Sequence, residues 1–435
     1  MSDATFTCPD LTSFCRLDGL GLEVTGQRIE PDRAILACRP VDADDWCRDC
    51  GGQGLIRGSV VRLLSHVPLG WRPTVLHVRL RRYRCIECGR VWRQDTSAAA
   101  EPRSKLSRAA LRWGLEGLVV QHLSMSRIAA GLDVAWNTAN DAVLAEGQRV
   151  LISDLARFDG VKVIGVDEHC WRHTRHGEKY VTVIIDLTPT RDGTGPARLL
   201  DMVEGRSKQV FKTWLAARPR AWRKGIEVVA MDGFTGYKSA AVEAIDTVTT
   251  VMDPYHVVAL VGDKLDRCRQ RIQQETLGHR GRSGDPLYGI RRVARTRASL
   301  LTEKQQHRLA KVLADERHVA FEVTWSIYQD VIDAYQAPDP AEGKKIMTRV
   351  IDAIKAGVPA GLDELRSLGQ TMKRRRDDIL AFFDHPGTSN GPTEAINGLL
   401  EHLRGTARGF RSIVNYVARC LLDAGGFRPL IHSLL

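Results

Sequence analysis

Apolar positions along the chain follow two different periods. Between residues 161 and 256 they form short runs or alternate with polar residues, which is typical of β-strands, and turn residues separate the runs. From about residue 108 to 155, and again from about 257 to 383, they recur every three to four positions. The pattern therefore predicts a strand-rich segment between two helical segments.

The order of elements in the strand-rich segment indicates its fold. Strands are predicted at "VKVIGVD", "EKYVTVIIDLT", "ARLLDMVEG", "GIEVVAMDG" and "DTVTTVMDP", and helices at "RSKQVFKTWLAARP" and "YKSAAVEAI". Three strands joined by turns, then helix, strand, helix and strand, predict a mixed α/β sheet of the ribonuclease H type. In such a sheet the first and fourth strands lie side by side.

Acidic residues are predicted at the ends of these neighbouring strands. Asp167 ends the first strand and Asp232 ends the fourth, so their side chains are expected to project together. Two adjacent carboxylates repel each other unless they share hard divalent cations such as Mg²⁺, which bind oxygen ligands. Each residue also has an ordinary explanation, a strand-end cap for Asp167 and an Asx-turn before Gly233 for Asp232.

A third carboxylate is expected from a helix packed on the sheet. In "HPGTSNGPTEAINGLLEHLRG", Pro392 suits a first helical turn, and Glu394, Asn397 and Leu400 follow at helical spacing. Asn390 and Asn397 flank Glu394 and would orient it or touch DNA.

Two CxxC pairs indicate a metal site nearer the N-terminus. Cys47 and Cys50 form the first pair, Cys85 and Cys88 the second, and glycine follows each. The 34 residues between the pairs contain two strand-like stretches, which predicts a hairpin within a zinc ribbon. Four thiolates leave no open position, so this Zn²⁺ would be structural. Free thiols in two chance turns, or Cys38 as a substitute ligand, are also possible from the sequence.

The remaining cysteines are predicted to be buried thiols, namely Cys8, Cys15, Cys170, Cys268 and Cys420. Arginines crowd the second CxxC pair and form either a solvated face or a phosphate-contacting one. They are Arg79, Arg81, Arg82, Arg84, Arg90 and Arg93.

The stretch "LSMSRIAAGLDVAWNTANDAVLAEG", residues 123–147, predicts two helices joined by a turn. Ser124 or Ser126 would cap the first helix, Gly131 would supply the turn, and the second helix would begin near Ala135. In a helix-turn-helix DNA reader the N-terminal residues of the second helix meet base edges. Here these are Trp136, Asn137, Thr138 and Asn140 or Asp141. Two helices that merely meet at a glycine give the same pattern.

These motifs, taken in order, resemble a known family. The zinc ribbon, the helix-turn-helix, "GVDEHCWR", "VVAMDGFTGY", "DPYHVV" and "SNGPTEAINGLL" are similar to those of DDE transposases of the ISL-three insertion-sequence family. The resemblance implies that Asp167, Asp232 and Glu394 are catalytic and bind Mg²⁺ or Mn²⁺. It also implies an interruption of the core, since Glu394 follows Asp232 by 162 positions. The helical pattern there predicts an all-α insertion.

Two neighbouring groups of residues are secondary candidates. Asp253 and His256 end the fifth predicted strand and would position substrate or metal-bound water, although turn chemistry also explains Asp253. Polar residues that follow Asp167 do not match a zinc-binding spacing and are expected on the hairpin surface. They are Glu168, His169, Arg172, His173 and His176.

The charge of the chain agrees with a nucleic-acid partner. Lys and Arg number 63 against 52 Asp and Glu, which gives a net charge of +11 and favours a polyanion. Basic runs in the helical insertion would clamp phosphates or remain solvated. The start "MSDATFTCPD" does not match a signal peptide and no apolar run is long enough to span a membrane, which predicts a cytoplasmic, nucleoid-associated protein.

We therefore expect an insertion-sequence transposase that binds terminal inverted repeats, cleaves DNA with Mg²⁺ and joins the ends to target DNA as a homodimer or higher homo-oligomer. A DNA-binding transcriptional regulator and a structure-selective nuclease on the same fold are the competing hypotheses. The predicted regions are an N-terminal segment 1–37, a zinc ribbon 38–98, a helix-turn-helix region 103–157, the first part of the catalytic core 161–256, the all-α insertion 257–385, and the return helix with the C-terminal tail 386–435.

Overall fold

The computed structural model describes residues 10–433, so Cys8 lies outside the described residues. Two compact units are present. The first consists of the described residues up to Leu155 together with those from Val414 onwards, and the second is Ala156–Ile413. In residues 10–433 no helix is both long enough and apolar enough to cross a membrane.

The first unit contains a mostly antiparallel sheet with strand order β1-β2-β4-β3, and β5 pairs with β4. Its strands are β1 Leu22–Ile29, β2 Ala34–Pro40, β3 Gly54–Leu69, β4 Arg72–Cys85 and β5 Val91–Arg93. The antiparallel pairing of β3 with β4 confirms the predicted hairpin. Neither β1 nor β2 was predicted. Strand β1 buries only Leu22 fully and so carries no clear alternation of apolar residues.

The set of β4 positions that is buried changes once along the long hairpin. Leu76, Val78 and Leu80 are buried, as the alternation predicts. A bulge between Ile56 and Gly58 shifts the register of β3 against β4. Beyond the bulge Arg82 is exposed and Tyr83 is buried. Odd-numbered residues of β4 therefore face the interior at the cysteine end of the hairpin, whereas even-numbered ones do so before the bulge.

Helices complete the first unit. They are α1 Leu11–Phe14, α2 Arg108–Val119, α3 Met125–Gly131, α4 Trp136–Gly147, α18 Ile413–Ala424 and α19 Arg428–Ser433.

The turn between α3 and α4 differs from the predicted one. The side chain of Ser124 caps α3, which was one of the two predicted caps. Gly131 does not make the turn; it is the last residue of α3, and the left-handed residue is Asp133 with φ 50°. A Cβ at Gly131 would lie 2.8 Å from the Trp113 ring, so glycine is needed there for close packing.

The second unit is built on a mixed sheet with strand order β10-β9-β6-β7-β8. Its strands are β6 Val163–Cys170, β7 Tyr180–Asp186, β8 Arg198–Glu204, β9 Val228–Met231 and β10 Thr249–Met252. The parallel pairing of β6 with β9 confirms that the first and fourth predicted strands are neighbours. The expectation that the first strand ends at Asp167 is wrong, because β7 pairs with β6 as far as Cys170.

Helices of the second unit fall into three groups along the chain. Those before β10 are α5 Thr188–Arg191, α6 Lys208–Ala216, α7 Arg220–Gly225 and α8 Thr235–Ala244. Those after β10 are α9 Pro254–Leu277, α10 Pro286–Gly289, α11 Arg291–Ala294, α12 Glu303–Leu313, α13 Val319–Gln336, α14 Pro340–Ala356, α15 Asp363–Arg374 and α16 Arg376–Asp384. The last is α17 Gly391–Thr406.

These helices have two separate cores. Phe211 and Trp214 of α6 and Tyr237 of α8 pack with the sheet residues Ile164 and Val229. The helices from α9 to α16 bury their own apolar cluster, which includes Leu265, Phe321, Met347 and Leu368. The helical segment α9–α16 is thus a packed body of its own inserted between β10 and α17.

Candidate functional site

Asp167 and Asp232 lie side by side at one edge of the second sheet. The parallel pairing of β6 with β9 ends at Val166 opposite Met231, and the two aspartates directly follow these paired residues in the chain. Asp167 Oδ1 accepts the Glu168 N–H at 2.8 Å. Asp232 Oδ1 accepts the Phe234 N–H at 2.8 Å, which is the Asx-turn foreseen for this residue. In each aspartate one carboxylate oxygen is thus fixed by a backbone N–H of a following residue.

Both aspartates are held in surroundings that disfavour their charge. Burial raises the pKa of Asp167 to about 7, and the neighbouring charge of Asp232 contributes to the increase. Burial also raises the pKa of Asp232. The protein without a metal therefore carries two adjacent carboxylates whose ionisation is costly, and a divalent cation would compensate that cost.

Helix α17 packs against β6 very closely because Gly165 has no side chain. A Cβ at Gly165 would lie 2.5 Å from Thr393 Oγ1 and 3.3 Å from Asn390 Oδ1. This approach brings Asn397 to the sheet edge, where its Nδ2 donates to Asp167 Oδ2 at 3.0 Å. Asn397 therefore orients Asp167, whereas the sequence associated it with Glu394.

His256 lies among the three predicted acidic residues. Its Nε2 is 4.0 Å from Glu394 Oε1. Its charge also lowers the pKa values of Asp167 and Asp232, against the larger effect of burial. Glu394 lies in the first turn of α17, about one helical turn before Asn397, and its side chain is 45% exposed. The structure thus brings Asp167, Asp232 and Glu394 to the same region, around His256.

The three carboxylates do not converge on a single point. Within residues 10–433, the cysteine cluster alone has three or more metal-ligand atoms that all lie within 4.8 Å of one another. A pair of metal ions about 3.5 to 4 Å apart needs a wider set of ligands, in which not every carboxylate touches the same ion. Glu394 is the most exposed of the three, with a side chain that is 45% exposed.

Asp253 has a structural role at the start of two helices. Its side chain is 2% exposed and caps α9 by accepting the Tyr255 N–H at 3.0 Å. The other oxygen accepts the Asn390 N–H at 2.7 Å, which anchors the start of α17. Asn390 is fully buried, so the expectation that it touches DNA is wrong. Asp253 and Asn390 thus hold the helix that carries Glu394.

The four cysteines of the CxxC pairs form one cluster. Cys47 Sγ lies 3.6 Å from Cys88 Sγ, and Cys50 Sγ lies 3.4 Å from Cys85 Sγ. Zn–S bonds of about 2.3 Å in a tetrahedron require sulfur atoms about 3.8 Å apart, so the cluster is close to the size that zinc needs. Gly51 and Gly89 both have φ 74°, as the turns require.

Cys38 is not part of this cluster. It is 1% exposed within the apolar core of the first sheet, and burial raises the pKa of its thiol to about 11. Within the cluster the Cys88 N–H donates to Cys85 Sγ at 3.5 Å and lowers the pKa of that thiol, whereas the pKa values of the Cys50 and Cys88 thiols are raised. Such a bond favours the thiolate, which is the form that binds metal.

The N-terminal turn of α4 exposes most of the residues predicted to meet DNA. Trp136 is 48% exposed, Asn137 is exposed and Thr138 is half-buried. Asn140 is only 4% exposed and donates to Asp141 Oδ1 at 3.1 Å. Since Asn140 faces the interior, Asp141, which is exposed, is the better placed of the two.

Of the residues after Asp167, Glu168 is exposed and forms an ion pair, whereas His169 is buried, so its expected place on the hairpin surface is wrong. Glu168 binds Arg206 Nη1 through both oxygens at 3.1 Å, and the Arg206 guanidinium stacks on Tyr180 at 3.8 Å.

Two residues that support the site, Gly165 and Arg206, were not predicted from the sequence. A glycine inside the strand "KVIGVD" was the available signal for close helix packing, whereas nothing near Arg206 in the sequence pointed to Glu168.

A pH-dependent stability follows from the raised pKa of Asp167. Below about pH 4 the carboxyl is protonated in both the folded and the unfolded protein, so it contributes no difference. As pH rises to about 7 the unfolded state ionises first, and the folded state loses up to about 4 kcal/mol at about 1.4 kcal/mol per pKa unit. Asp167→Asn should therefore raise the melting temperature of the metal-free protein at pH 8 and leave it unchanged near pH 4.

The measurement is thermal unfolding in a chelator at both pH values, with the exposed Asp246→Asn as the matched control. An equal gain for Asp167→Asn at both pH values would show that charge burial is not the cause.

Comparisons with known proteins indicate the family of this chain. Residues 164–420, which include all but the first residue of β6, the helical segment after β10, and α17, match a family described as transposase, of the DDE type and the ISL-three group. The chain is also similar to the transposase for insertion sequence element IS1001 from Bordetella parapertussis, with 22% identity over 403 residues that cover 90% of this chain and 92% of that protein. Because the family match spans more than half of the chain and contains all three predicted acidic residues, this protein belongs to the ISL-three family of DDE transposases and is an insertion-sequence transposase.

Proposed function

We propose that Asp167, Asp232 and Glu394 form the catalytic triad of this transposase on a sheet of the ribonuclease H type. The observation that carries the proposal is the position of two half-buried aspartates directly after the last residue pair of β6 and β9, beside a helix that packs on Gly165 and carries Glu394. The strand order, with three antiparallel strands followed by two parallel ones, supports the assignment of the fold.

The residues at this edge suit Mg²⁺ or Mn²⁺. All three triad members offer carboxylate oxygens, and partial burial raises the pKa values of Asp167 and Asp232, a shift that a cation would reverse. When bound, two such ions would activate a water for strand cleavage and then the 3′-hydroxyl for in-line attack on target DNA.

The protein itself provides orientation. Asn397 fixes one oxygen of Asp167, and the Asx-turn fixes one oxygen of Asp232. Glu394 remains exposed within 4.0 Å of His256 and is therefore able to close on the site when DNA arrives. Buried Asp253 keeps α17 in place and is not a member of the triad.

The first unit is proposed to recognise the terminal inverted repeats. Trp136, Asn137 and Thr138 lie at the N-terminal end of α4, the position from which a recognition helix reads base edges. The exposed arginines of β4 suit contacts with phosphates.

The four-cysteine cluster is proposed to bind a structural Zn²⁺ that stabilises the end of the long hairpin. A homodimer or larger assembly would bring two element ends together.

The proposal is tested by incubating the protein with Mg²⁺ and labelled DNA that carries the sequences flanking its gene. We expect discrete cuts at the outer ends of the element and joining of those ends to a second DNA. Specific binding without cleavage in Mg²⁺ or Mn²⁺ would favour a regulator, and cleavage without joining would favour a nuclease. A chelator should abolish both steps without preventing binding, provided that the zinc cluster retains its ion.

A further inference from the structure

A buried cluster of charged side chains lies where α8 and α16 meet β10. Asp378, which is 1% exposed, is at its centre. Asp378 Oδ1 accepts a hydrogen bond from Thr250 Oγ1 at 2.6 Å and lies 2.9 Å from Lys238 Nζ. Its Oδ2 lies 2.6 Å from Arg375 Nε. One carboxylate therefore joins the helical segment α9–α16 to the sheet and to the helix that follows Asp232.

The cluster extends to the turn that carries Asp232. Arg375 is 4% exposed, and its Nη1 donates to the Gly233 carbonyl at 3.2 Å. On the other side of the same turn, the Phe234 N–H donates to Asp232 Oδ1. The guanidinium thus braces the backbone directly after the aspartate. Its positive charge also lowers the pKa of Asp232, although burial has the larger, opposite effect.

Stability alone is a poor explanation for this cluster. Buried ion pairs often contribute less free energy than apolar side chains of similar volume, because removing charges from water is costly. Arg375 Nη2 is buried and has no hydrogen-bond partner among the described residues, which adds to the cost. The position that the cluster imposes on the Gly233 carbonyl is the better explanation.

We propose that Arg375, held by Asp378, is a positioning residue for Asp232. It fixes the turn Asp232–Gly233–Phe234 so that the carboxylate meets its divalent cation in one orientation. This inference rests on the proposed role of Asp232 as a metal ligand. It also gives the helical segment α9–α16 a part in catalysis that is separate from any contact with DNA.

The test is the Mg²⁺ dependence of DNA cleavage by Arg375→Met. Changes to residues that orient metal ligands typically weaken metal binding about 10- to 100-fold. We expect the half-saturating Mg²⁺ concentration to rise at least about tenfold, with recovery of rate at high Mg²⁺ and unchanged DNA affinity. A residue that matters only for folding would lower the rate at every Mg²⁺ concentration without moving the midpoint.

The matched control is Arg376→Met. Arg376 is the next residue, is 36% exposed, and pairs with Asp352 at 3.6 Å instead of with the cluster. It should leave the Mg²⁺ midpoint unchanged. The double variant Arg375→Met with Asp378→Leu removes both buried charges, and Lys238, which is 30% exposed, can then turn to solvent. This variant should be at least as stable as the wild type and still show the shifted midpoint.

A wild-type Mg²⁺ midpoint in the folded double variant, or in a folded Arg375→Met, would overturn the inference. A different result, undiminished cleavage by Asp232→Asn, would contradict the proposed function. The two failures are therefore distinguishable in the same assay.

Discussion

Asp167→Asn, Asp232→Asn and Glu394→Gln are each expected to reduce DNA cleavage and joining at least about 1,000-fold, which corresponds to about 4 kcal/mol of transition-state stabilisation. Each change keeps the shape of the side chain but removes the negative charge that a divalent cation needs. Binding to the element ends should be unchanged, because the proposed DNA-reading residues lie on α4 of the first unit.

Two neighbouring acidic residues provide matched controls. Glu168 follows Asp167 directly and pairs with Arg206, so Glu168→Gln should retain most of the cleavage activity. Asp253 follows β10 and anchors α17 without exposure to solvent. Asp253→Asn should therefore destabilise the fold before it affects chemistry. Full cleavage by Asp232→Asn together with its loss in a stably folded Asp253→Asn would make Asp253 the second catalytic acid.

Replacing the carboxylate of Asp232 by a different metal-binding group distinguishes metal binding from other roles of its negative charge. Asp232→Cys replaces a hard oxygen ligand by a softer sulfur, which binds Mg²⁺ poorly. We expect this variant to be inactive in Mg²⁺ and to recover part of its activity in Mn²⁺. Equal inactivity in both metals, in a protein that still binds DNA, would argue against ligation by Asp232.

The second large effect is expected at the four-cysteine cluster. Cys47→Ser and Cys85→Ser should each lose about one Zn²⁺ per chain and unfold the end of the long hairpin. Structural zinc sites in small domains contribute about 10 to 16 kcal/mol at neutral pH. Here the remainder of the sheet has its own core around Leu64, Leu76 and Val78, so unfolding should be confined to the cysteine end. Binding to DNA ends should weaken at the same time.

The measurements are metal content by elemental analysis and intrinsic tryptophan fluorescence, to which Trp92 contributes with its ring stacked on Tyr83 at 5.5 Å. Cys38→Ala is the control, because Cys38 is a buried thiol of the same sheet outside the cluster. It should keep its zinc. Full zinc content in Cys85→Ser, or equal loss in Cys38→Ala, would contradict the assignment and favour free thiols or a different ligand set.

Features that depend on short stretches of the chain could be predicted from the sequence. The spacing of Cys47 with Cys50 and of Cys85 with Cys88 indicated one metal cluster, because two residues between cysteines suit a single ion. The alternation of apolar residues in "TVLHVRLRRYR" indicated a hairpin strand, and the order of strands and helices placed Asp167 next to Asp232. The ordered motifs also indicated the transposase family.

Tertiary structure alone decided which polar residues support these sites. Asn397 meets Asp167 across 230 positions of sequence, and Arg375 meets the turn after Asp232 across 142. It also decided that Asn140 faces inward and that Asp133, instead of Gly131, makes the helix turn. Periodicity and spacing report only on neighbours along the chain, within one or two turns. Contacts between distant segments depend on how the helices pack on the sheet, here on the absence of a side chain at Gly165.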